Sequence, residues 1–598
     1  HQLVQRVSRM KRIIVTKCSE AFKPQMVSKY DNGDNIDDLQ KKYVFTASTR
    51  TFVAYVLFNV GLFLPVFIFN VSDAVKVQLN LEVAILFALW AIFGARWGKR
   101  VLKWFVVGFG LLYVVALIYK SYAGALLGLY QREANFFNDY SFVLGGISFL
   151  LESLNLSLWV YLAGGIAIVV LIGLIFWGAQ TTFEGVPISD LGRATRFGLI
   201  MLGLIAIFVV GVFPKMTADL QIPLSSVTAE VTENIRRSLE SRENLKTFAA
   251  IDPTYSYDYA QYPLSETPDV FFIFIESYGS VVYKRPHFTL PYLEMLEAME
   301  KSLANDGWSA VSTLSEAPTG GGGSWMSYTS ALFGVLVDQQ SEYDALKKKY
   351  SDLEYPNIGR YYRSQGYDYV WVVPINRQLS EKREEIDHKF YGADRWITFD
   401  TLNYEGPLFG WGPSIPDQFT FGFIQEFVLQ QEQPTFLVYL TQNSHYPWTP
   451  LPPVLDDWRE LENLDMQDGV LNEAQKKGLS LGESRQNYLQ AVDNTFSSLD
   501  QFITSIEKEN SVILLIGDHQ PPTISRREDG YGVMVHIISQ DVDLLASFHK
   551  YGFEDGLVLE NLEPTIRHEG LYSLFVRNFI AQYGANPWIL PPYLPNGH

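Results

Sequence analysis

The feature that most constrains this chain is a series of five long apolar stretches, at about 52–71, 78–97, 101–119, 157–179 and 197–213. Each approaches the roughly 20 residues that a helix needs to cross a hydrocarbon core of about 30 Å. Buried helices of a soluble protein would carry charges at helical spacing, and runs such as 166–177 carry none. The reading is a five-span helical membrane domain. Beyond about residue 214 the composition changes to that of a mixed soluble protein, so two physical classes share one chain. The expected organisation is a cytoplasmic segment 1–50, the membrane domain 51–214, a linker 215–266 and a soluble domain 267–598.

Basic residues set the expected orientation. Arg6, Arg9, Lys11, Arg12, Lys17 and Lys23 precede the first stretch, Arg96, Lys99, Arg100 and Lys103 fill the second connection, and Arg193 and Arg196 the fourth. The first and third connections are balanced or acidic, so the basic excess alternates from side to side. By the positive-inside rule the N-terminus is cytoplasmic and everything after Phe213 lies outside, in a plasma or inner membrane protein. No cleavable leader is expected in the polar first fifty residues, and the first apolar run is expected to act as export signal. The third connection, about 120–156, holds a weakly apolar patch at 142–151 that reads either as an interfacial element or as plain loop.

A formal net charge of −18 argues against a nucleic-acid partner, which would require a basic face. The single cysteine, Cys18, excludes an intramolecular disulfide and any CxxC motif.

From about 267, short apolar runs at 270–275, 370–373, 436–440, 512–516 and 533–538 alternate with helical patterns. Runs apolar on both faces suit a parallel or mostly parallel sheet covered by helices. In such sheets sites gather at the carboxyl ends of strands. Three runs end in groups suited to a metal: Phe-Ile-Glu276-Ser277, Asn443-Ser444-His445-Tyr446-Pro447 and Gly517-Asp518-His519. Two carboxylates and an imidazole with an open position serve one divalent cation, Zn²⁺ or Mn²⁺. Singly each piece has an ordinary reading, a solvated loop glutamate or a helix-capping Asp-His.

The fourth component is Thr319-Gly-Gly-Gly-Gly-Ser324, followed by a helical pattern. Glycines let backbone N–H groups approach an anion, and a helix N-terminus aims its positive end at the same spot. Ser324 there is a candidate nucleophile, or merely the cap of a helix behind a flexible loop.

Together these motifs resemble the lipoteichoic acid synthase family of phosphoglycerol transferases, within the sulfatase/alkaline-phosphatase superfamily. The resemblance implies an extracytoplasmic α/β domain of the alkaline phosphatase/sulfatase type behind the five-span membrane domain. It makes Glu276, Ser324, Asp518 and His519 metal ligands, Ser324 the nucleophile, and His445 a catalytic and substrate-binding histidine. Trp411 and Asp417, in Gly-Trp-Gly-Pro-Ser-Ile-Pro-Asp, resemble the family's Trp-Gly…Asp element beside the substrate, with Arg377 a phosphate contact. That family uses threonine in a Gly-x-Thr-Ser context, so Thr319 stands as the alternative nucleophile. Sulfatase activity proper is disfavoured, because Ser324-Trp-Met-Ser-Tyr328 lacks the Pro and Arg of the formylglycine signature. The expected substrates are a phospholipid donor and a glycan or glycolipid acceptor. Phosphoethanolamine transfer, hydrolysis by the same apparatus, and a non-catalytic lipid sensor are the competing expectations.

Overall fold

The computed structural model describes residues 36–69, 79–140, 158–212, 224–253, 257–374, 381–410, 414–429, 432–465 and 481–598. The chain divides into two compact units, one drawn from 1–125 and 148–237, the other from 126–147 and 238–598.

The first unit is helical. Among the described residues, Val44–Ile68, Lys99–Tyr130 and Trp159–Phe183 are helices long and apolar enough to cross a membrane. The stretch expected to span at 78–97 differs. It forms a helix of 13 residues, Leu81–Phe93, continued by a 3₁₀ turn at Gly94–Arg96. At 1.5 Å per residue the helix reaches only about 20 Å. Asn80 starts it by accepting the Val83 N–H, and Gly94 follows its last residue. Residues 197–212 of the fifth stretch lie within the 20-residue helix Arg193–Val212, and the third runs on to Tyr130, carried by the Ala- and Leu-rich segment 123–129. The apolar patch at 142–151 lies outside the described residues. Phe58, Phe87, Phe109 and Phe183 interlock edge to face at the centre, with Phe109 and Phe183 4.8 Å apart. Ile166, Val169 and Trp177 instead point outward, an apolar surface suited to lipid rather than water. A two-residue parallel pair, β1 (Leu79–Asn80) with β2 (Leu224–Ser225), ties the unit together.

The second unit is built on a nine-stranded sheet. Its strands are β3 (Val270–Ile275), β4 (Ser309–Glu316), β5 (Asp368–Val373), β6 (Arg395–Thr398), β7 (Thr435–Leu440), β8 (Val512–Gly517), β9 (Gly532–Ser539), β10 (Glu554–Asp555) and β11 (Ile566–Arg567). The order is β10-β4-β9-β8-β3-β7-β5-β6, with β11 beside β4. Strands β8, β3, β7, β5 and β6 run parallel, whereas β9 is antiparallel to both β8 and β4. The sheet is therefore mixed, not wholly parallel. All five expected strands are present.

Every residue of β3 is buried, because its alternate side chains enter two different cores. Val270, Phe272 and Phe274 join one face with Phe436, Leu514 and Phe575, while Phe271, Ile273 and Ile275 join the other with Tyr439, Leu515 and Phe502. The parallel register sets Ile275 beside Gly517 and Phe274 beside Leu440, so three chain segments leave the sheet at one edge. Phe272 stands against Phe436 and Phe575 at 5.3 and 5.0 Å. Phe272→Ala should therefore cost about 3–5 kcal/mol, read as a lowered denaturation midpoint of this unit in the intact protein.

Candidate metal centre and nucleophile

At that edge β3 delivers Glu276, whose N–H donates to Thr441 Oγ1 at 3.1 Å just past β7. Ser277 then turns sharply at φ 59°, an uncommon value for a residue with a side chain. The turn serves the site. Ser277 N–H donates to Asp518 Oδ1 at 2.7 Å, and its hydroxyl donates to Glu276 Oε1 at 3.0 Å.

β8 delivers Asp518 and His519, which are 0% and 1% exposed. Gly517 must be glycine here, since a Cβ would fall 2.0 Å from the Tyr278 carbonyl oxygen. His519 Nδ1 lies 2.9 Å from the Gln520 carbonyl, which can only accept, so Nδ1 carries the proton. Nε2 is left facing the carboxylates, 3.4 Å from Glu276 Oε1 and 3.4 Å from Asp518 Oδ2. Ligand atoms of Glu276, Asp518 and His519 all lie within 4.8 Å of one another.

The third arm is the helix Ser324–Phe333, entered through Gly323 in the left-handed conformation at φ 79°. It puts Ser324 Oγ 3.1 Å from Glu276 Oε2 and 3.3 Å from His519 Nε2. One turn on, the Ser327 hydroxyl donates to the Asp518 carbonyl at 2.6 Å and docks the helix on the metal loop. Thr319 is elsewhere. Its hydroxyl is paired with Ser327 Oγ at 3.4 Å, so Ser324 is the hydroxyl that reaches the cluster.

The glycines also meet a packing demand. A Cβ at Gly320 would lie 2.6 Å from the Tyr531 ring, at Gly321 2.7 Å from Leu129 O, and at Gly322 2.7 Å from the Tyr130 ring. The loop is thus pressed by other parts of the same unit. Segment 126–140 is held over it by Gln131 bonding Ser525 and by Asn138 donating to Gln339 Oε1 at 2.6 Å.

Two buried carboxylates this close repel. Burial first, then the charge of Glu276, pushes the Asp518 carboxyl up to about 7. Burial opposes the cationic form of His519, but the Asp518 and Glu276 carboxylates outweigh it and raise its pKa. Asp518 Oδ2 is buried with no hydrogen-bond partner. An orphaned anionic oxygen facing a carboxylate and an imidazole lone pair fits a divalent cation, and the donor set suits Zn²⁺ or Mn²⁺.

His445 follows β7. Its Nδ1–H donates to Tyr446 O at 2.7 Å, and Nε2 stands 3.9 Å from Glu276 Oε1. Enclosure lowers its pKa to about 4, so the ring is neutral at pH 7. Asp417 is fully buried. Its oxygens accept from Tyr439 OH at 2.6 Å, Gln442 N at 2.7 Å and Asn443 N at 3.0 Å, which shapes the loop that carries His445. From there it acts on the site through the loop and not from its surface. Trp411 and Arg377 lie outside the described residues. Sequence reasoning gave no role to Ser277 or Thr441, whose roles depend on strand register, or to Ser327, for which the i, i+3 spacing from Ser324 was the signal of a shared helix face.

Residues 268–546 match the Sulfatase family model. The segment holds Glu276, Ser324, His445, Asp518 and His519, and it is similar to that family. Among solved structures the chain is similar to the lipoteichoic acid synthase LtaP from Listeria monocytogenes, at 13% identity over 60% of this chain and 80% of that one, with a TM-score of 0.37. It is similar to the phosphoglycerol transferase GacH of Streptococcus pyogenes, at 14% identity over 56% and 81%, TM-score 0.34. The lipooligosaccharide phosphoethanolamine transferase A of Neisseria meningitidis aligns at 11% identity over 86% and 95%, TM-score 0.41. No curated protein matches the sequence.

The raised pKa values set a pH dependence. In the metal-free protein Asp518 favours its protonated form more when folded than when unfolded, and His519 its cationic form. Asp518's contribution to stability is present at low pH and is lost as pH rises to about 7, and that of His519 is lost as pH rises through its raised folded-state value. Metal-free wild type should accordingly melt lower at pH 8 than at pH 6, relative to Asp518→Asn. Zn²⁺ or Mn²⁺ should reverse the trend in wild type and leave the variant unchanged.

Proposed function

We propose that this chain is a membrane-anchored, metal-dependent phosphotransferase that moves a phosphoglycerol-type group from a phospholipid donor to a glycan or lipid acceptor through a Ser324-linked intermediate. The observation that carries the reading is Ser324 Oγ at 3.1 Å from Glu276 and 3.3 Å from His519, on the N-terminus of a helix docked to Asp518. Glu276, Asp518, His519 and Ser324 would hold the cation. When bound it supplies Lewis-acid stabilisation to the serine oxygen and to the phosphoryl oxygens.

Ser324 Oγ gives up its proton and forms the new bond to phosphorus as the bond to the diacylglycerol oxygen breaks, and that oxygen takes up the proton as it leaves. An acceptor hydroxyl then attacks the same phosphorus, gives up its proton and releases Ser324. His445, neutral at pH 7, suits relaying the Ser324 proton to the diacylglycerol oxygen in the first step and the acceptor's proton to Ser324 Oγ in the second. The first helical turn directs its N–H groups toward negative charge growing on phosphorus. Beside Ser324 a cleft holds Arg132, Trp325, Asp338 and Gln340. Arg132 suits a phosphate oxygen and Gln340 a glycerol hydroxyl. Asp338 with the Trp325 ring gives phosphoethanolamine transfer its support, since an acid and an aromatic face suit an ammonium group. The basic connections favour an N-terminus in the cytoplasm and the α/β unit outside.

The test uses the full-length protein in detergent, with bound metal measured and diacylglycerol release followed from labelled phosphatidylglycerol and phosphatidylethanolamine. Release should require metal and fall by at least about 10³-fold in Ser324→Ala, while Thr319→Ala keeps most of it. Retention of the wild-type rate by Ser324→Ala would sink the reading.

A further inference from the structure

The helical unit holds a small polar pocket of its own, lined by Asn59, Leu62, Phe63, Val66, Asn80, Lys120 and Ser225. All seven belong to the same compact unit. Its origin is a close helix crossing. A Cβ at Gly124 would lie 3.2 Å from Val66 Cα and 3.3 Å from Pro65 O, so glycine lets helix Lys99–Tyr130 approach helix Ile36–Phe69 there. One turn earlier on the same face, Lys120 replaces glycine and a gap opens beside Leu62 and Phe63.

The pocket's polar atoms are unevenly satisfied. Asn59 Nδ2 donates to Tyr55 O at 2.8 Å, and its Oδ1 accepts Asn80 N–H at 2.7 Å. Asn80 Oδ1 accepts Val83 N–H at 3.0 Å, which fixes the amide's orientation. Its Nδ2 is left buried and unpartnered on a residue of the pocket wall that is only 2% exposed. Lys120, 6% exposed, gives one N–H to Glu230 Oε1 at 2.5 Å. An ammonium has three N–H donors, so more remain. The acceptors Asn59 Oδ1, Asn80 Oδ1 and Glu230 Oε1 are engaged, while donors stand ready. A ligand for this place must bring acceptor oxygens.

Its depth says which ligand. Lys99 and Lys120 are on one helix, and at 1.5 Å per residue they stand about 31 Å apart along its axis, one hydrocarbon thickness. Lys120 is thus at the level of the lipid phosphates and glycerol esters on the face opposite Arg96, Lys99 and Arg100. Leu64, Phe67 and Ile68, on the helix that walls the pocket, are 48%, 59% and 60% exposed and offer an acyl chain an apolar surface. A charged residue in such a helix, paired yet unsaturated, marks a binding place more often than a structural one.

We infer that this pocket binds the phosphate of a glycerophospholipid, with Asn80 Nδ2 and Lys120 Nζ donating to its oxygens. The site is separate from the Ser324 centre and stands whether or not Ser324 transfers anything. Asn80→Asp is isosteric and keeps the Oδ1 cap on Val83, but it replaces the donor with an anionic acceptor. Lys120→Gln with Glu230→Gln removes the ammonium without stranding its partner.

The experiment is native mass spectrometry of the delipidated full-length chain offered short-chain phosphatidylglycerol, diacylglycerol of the same chains, or inorganic phosphate. Wild type and Ser324→Ala should each retain one phosphatidylglycerol, with binding about tenfold or more weaker in both pocket variants. Should Asn80→Asp not fold, the double variant decides. The inference is overturned if the folded variants bind as wild type does, or if diacylglycerol binds equally well. It is also overturned if inorganic phosphate alone displaces the lipid, which would make this a free-anion site, or if no lipid is retained, which would leave the pocket to water.

Discussion

Two carboxylates, Glu276 and Asp518, are buried within one ligand-set of each other, and much of the α/β unit exists to tolerate that arrangement. Left alone they repel in a medium that screens charge poorly, and the price is visible in the raised Asp518 pKa. Partial relief is local. The N–H groups of Ser277 and His519 both donate to Asp518 Oδ1 at 2.7 Å, and the Ser277 hydroxyl to Glu276 Oε1 at 3.0 Å. The rest needs positive charge, which the neutral or cationic imidazole of His519 supplies poorly and a divalent ion supplies well. The repulsion is therefore stored selectivity for a cation.

Such a pair can be held only by rigid elements. Glu276 and Asp518 follow adjacent parallel strands whose register sets Ile275 beside Gly517, and each strand is buried on both faces. Moving one strand by a residue would turn its carboxylate to the other side of the sheet. The side chains that fix this register, Phe271 through Ile275 and Ile513 through Ile516, have no chemistry of their own. They set the ligand spacing all the same, by excluding every other packing. The antiparallel strands β9 and β4 extend the sheet on the Asp518 side. His568 reaches from beyond β11 to Gly517 O at 3.2 Å and to Ser315 of β4 at 2.8 Å, bracing the residue before the metal ligand.

That division explains what could be read from the sequence. β3, β7 and β8 are uninterrupted apolar runs, and Glu276, His445, Asp518 and His519 stand at or just beyond their ends, so the strands and the cluster of candidate site residues were legible together. β4 was not. Its Ser312, Thr313 and Ser315 look like loop residues, yet Ser312 pairs with His536 and Gly556 O and Ser315 with His568, polar partners that only the folded sheet supplies. Segment 126–140 was hidden for a different reason. It sits between apolar stretches, and nothing local shows that Leu129 and Tyr130 will press on glycines nearly two hundred residues later. The 13-residue helix Leu81–Phe93 shows the limit of apolar length as a guide, because Asn80 and Gly94 cut it short at positions an averaging window passes over.

The glycine run shows the same physics from the other direction. A row of four glycines invites the reading of an open cradle, and Ser324 does emerge from it on a helix N-terminus. Yet three of the four are backed by Tyr531, Leu129 and Tyr130, so their missing side chains are filled by protein. A loop clamped in this way is held in place, and the entropy of setting Ser324 against Glu276 and His519 is met during folding. The same clamp puts Arg132, two residues beyond Tyr130, on the wall of the cleft beside the nucleophile, where Asp139 holds its guanidinium at 2.5 Å. A segment that sequence assigns to a connection between membrane stretches thereby lines the cleft next to the candidate nucleophile. Positioning the nucleophile and shaping what it meets are one structural act.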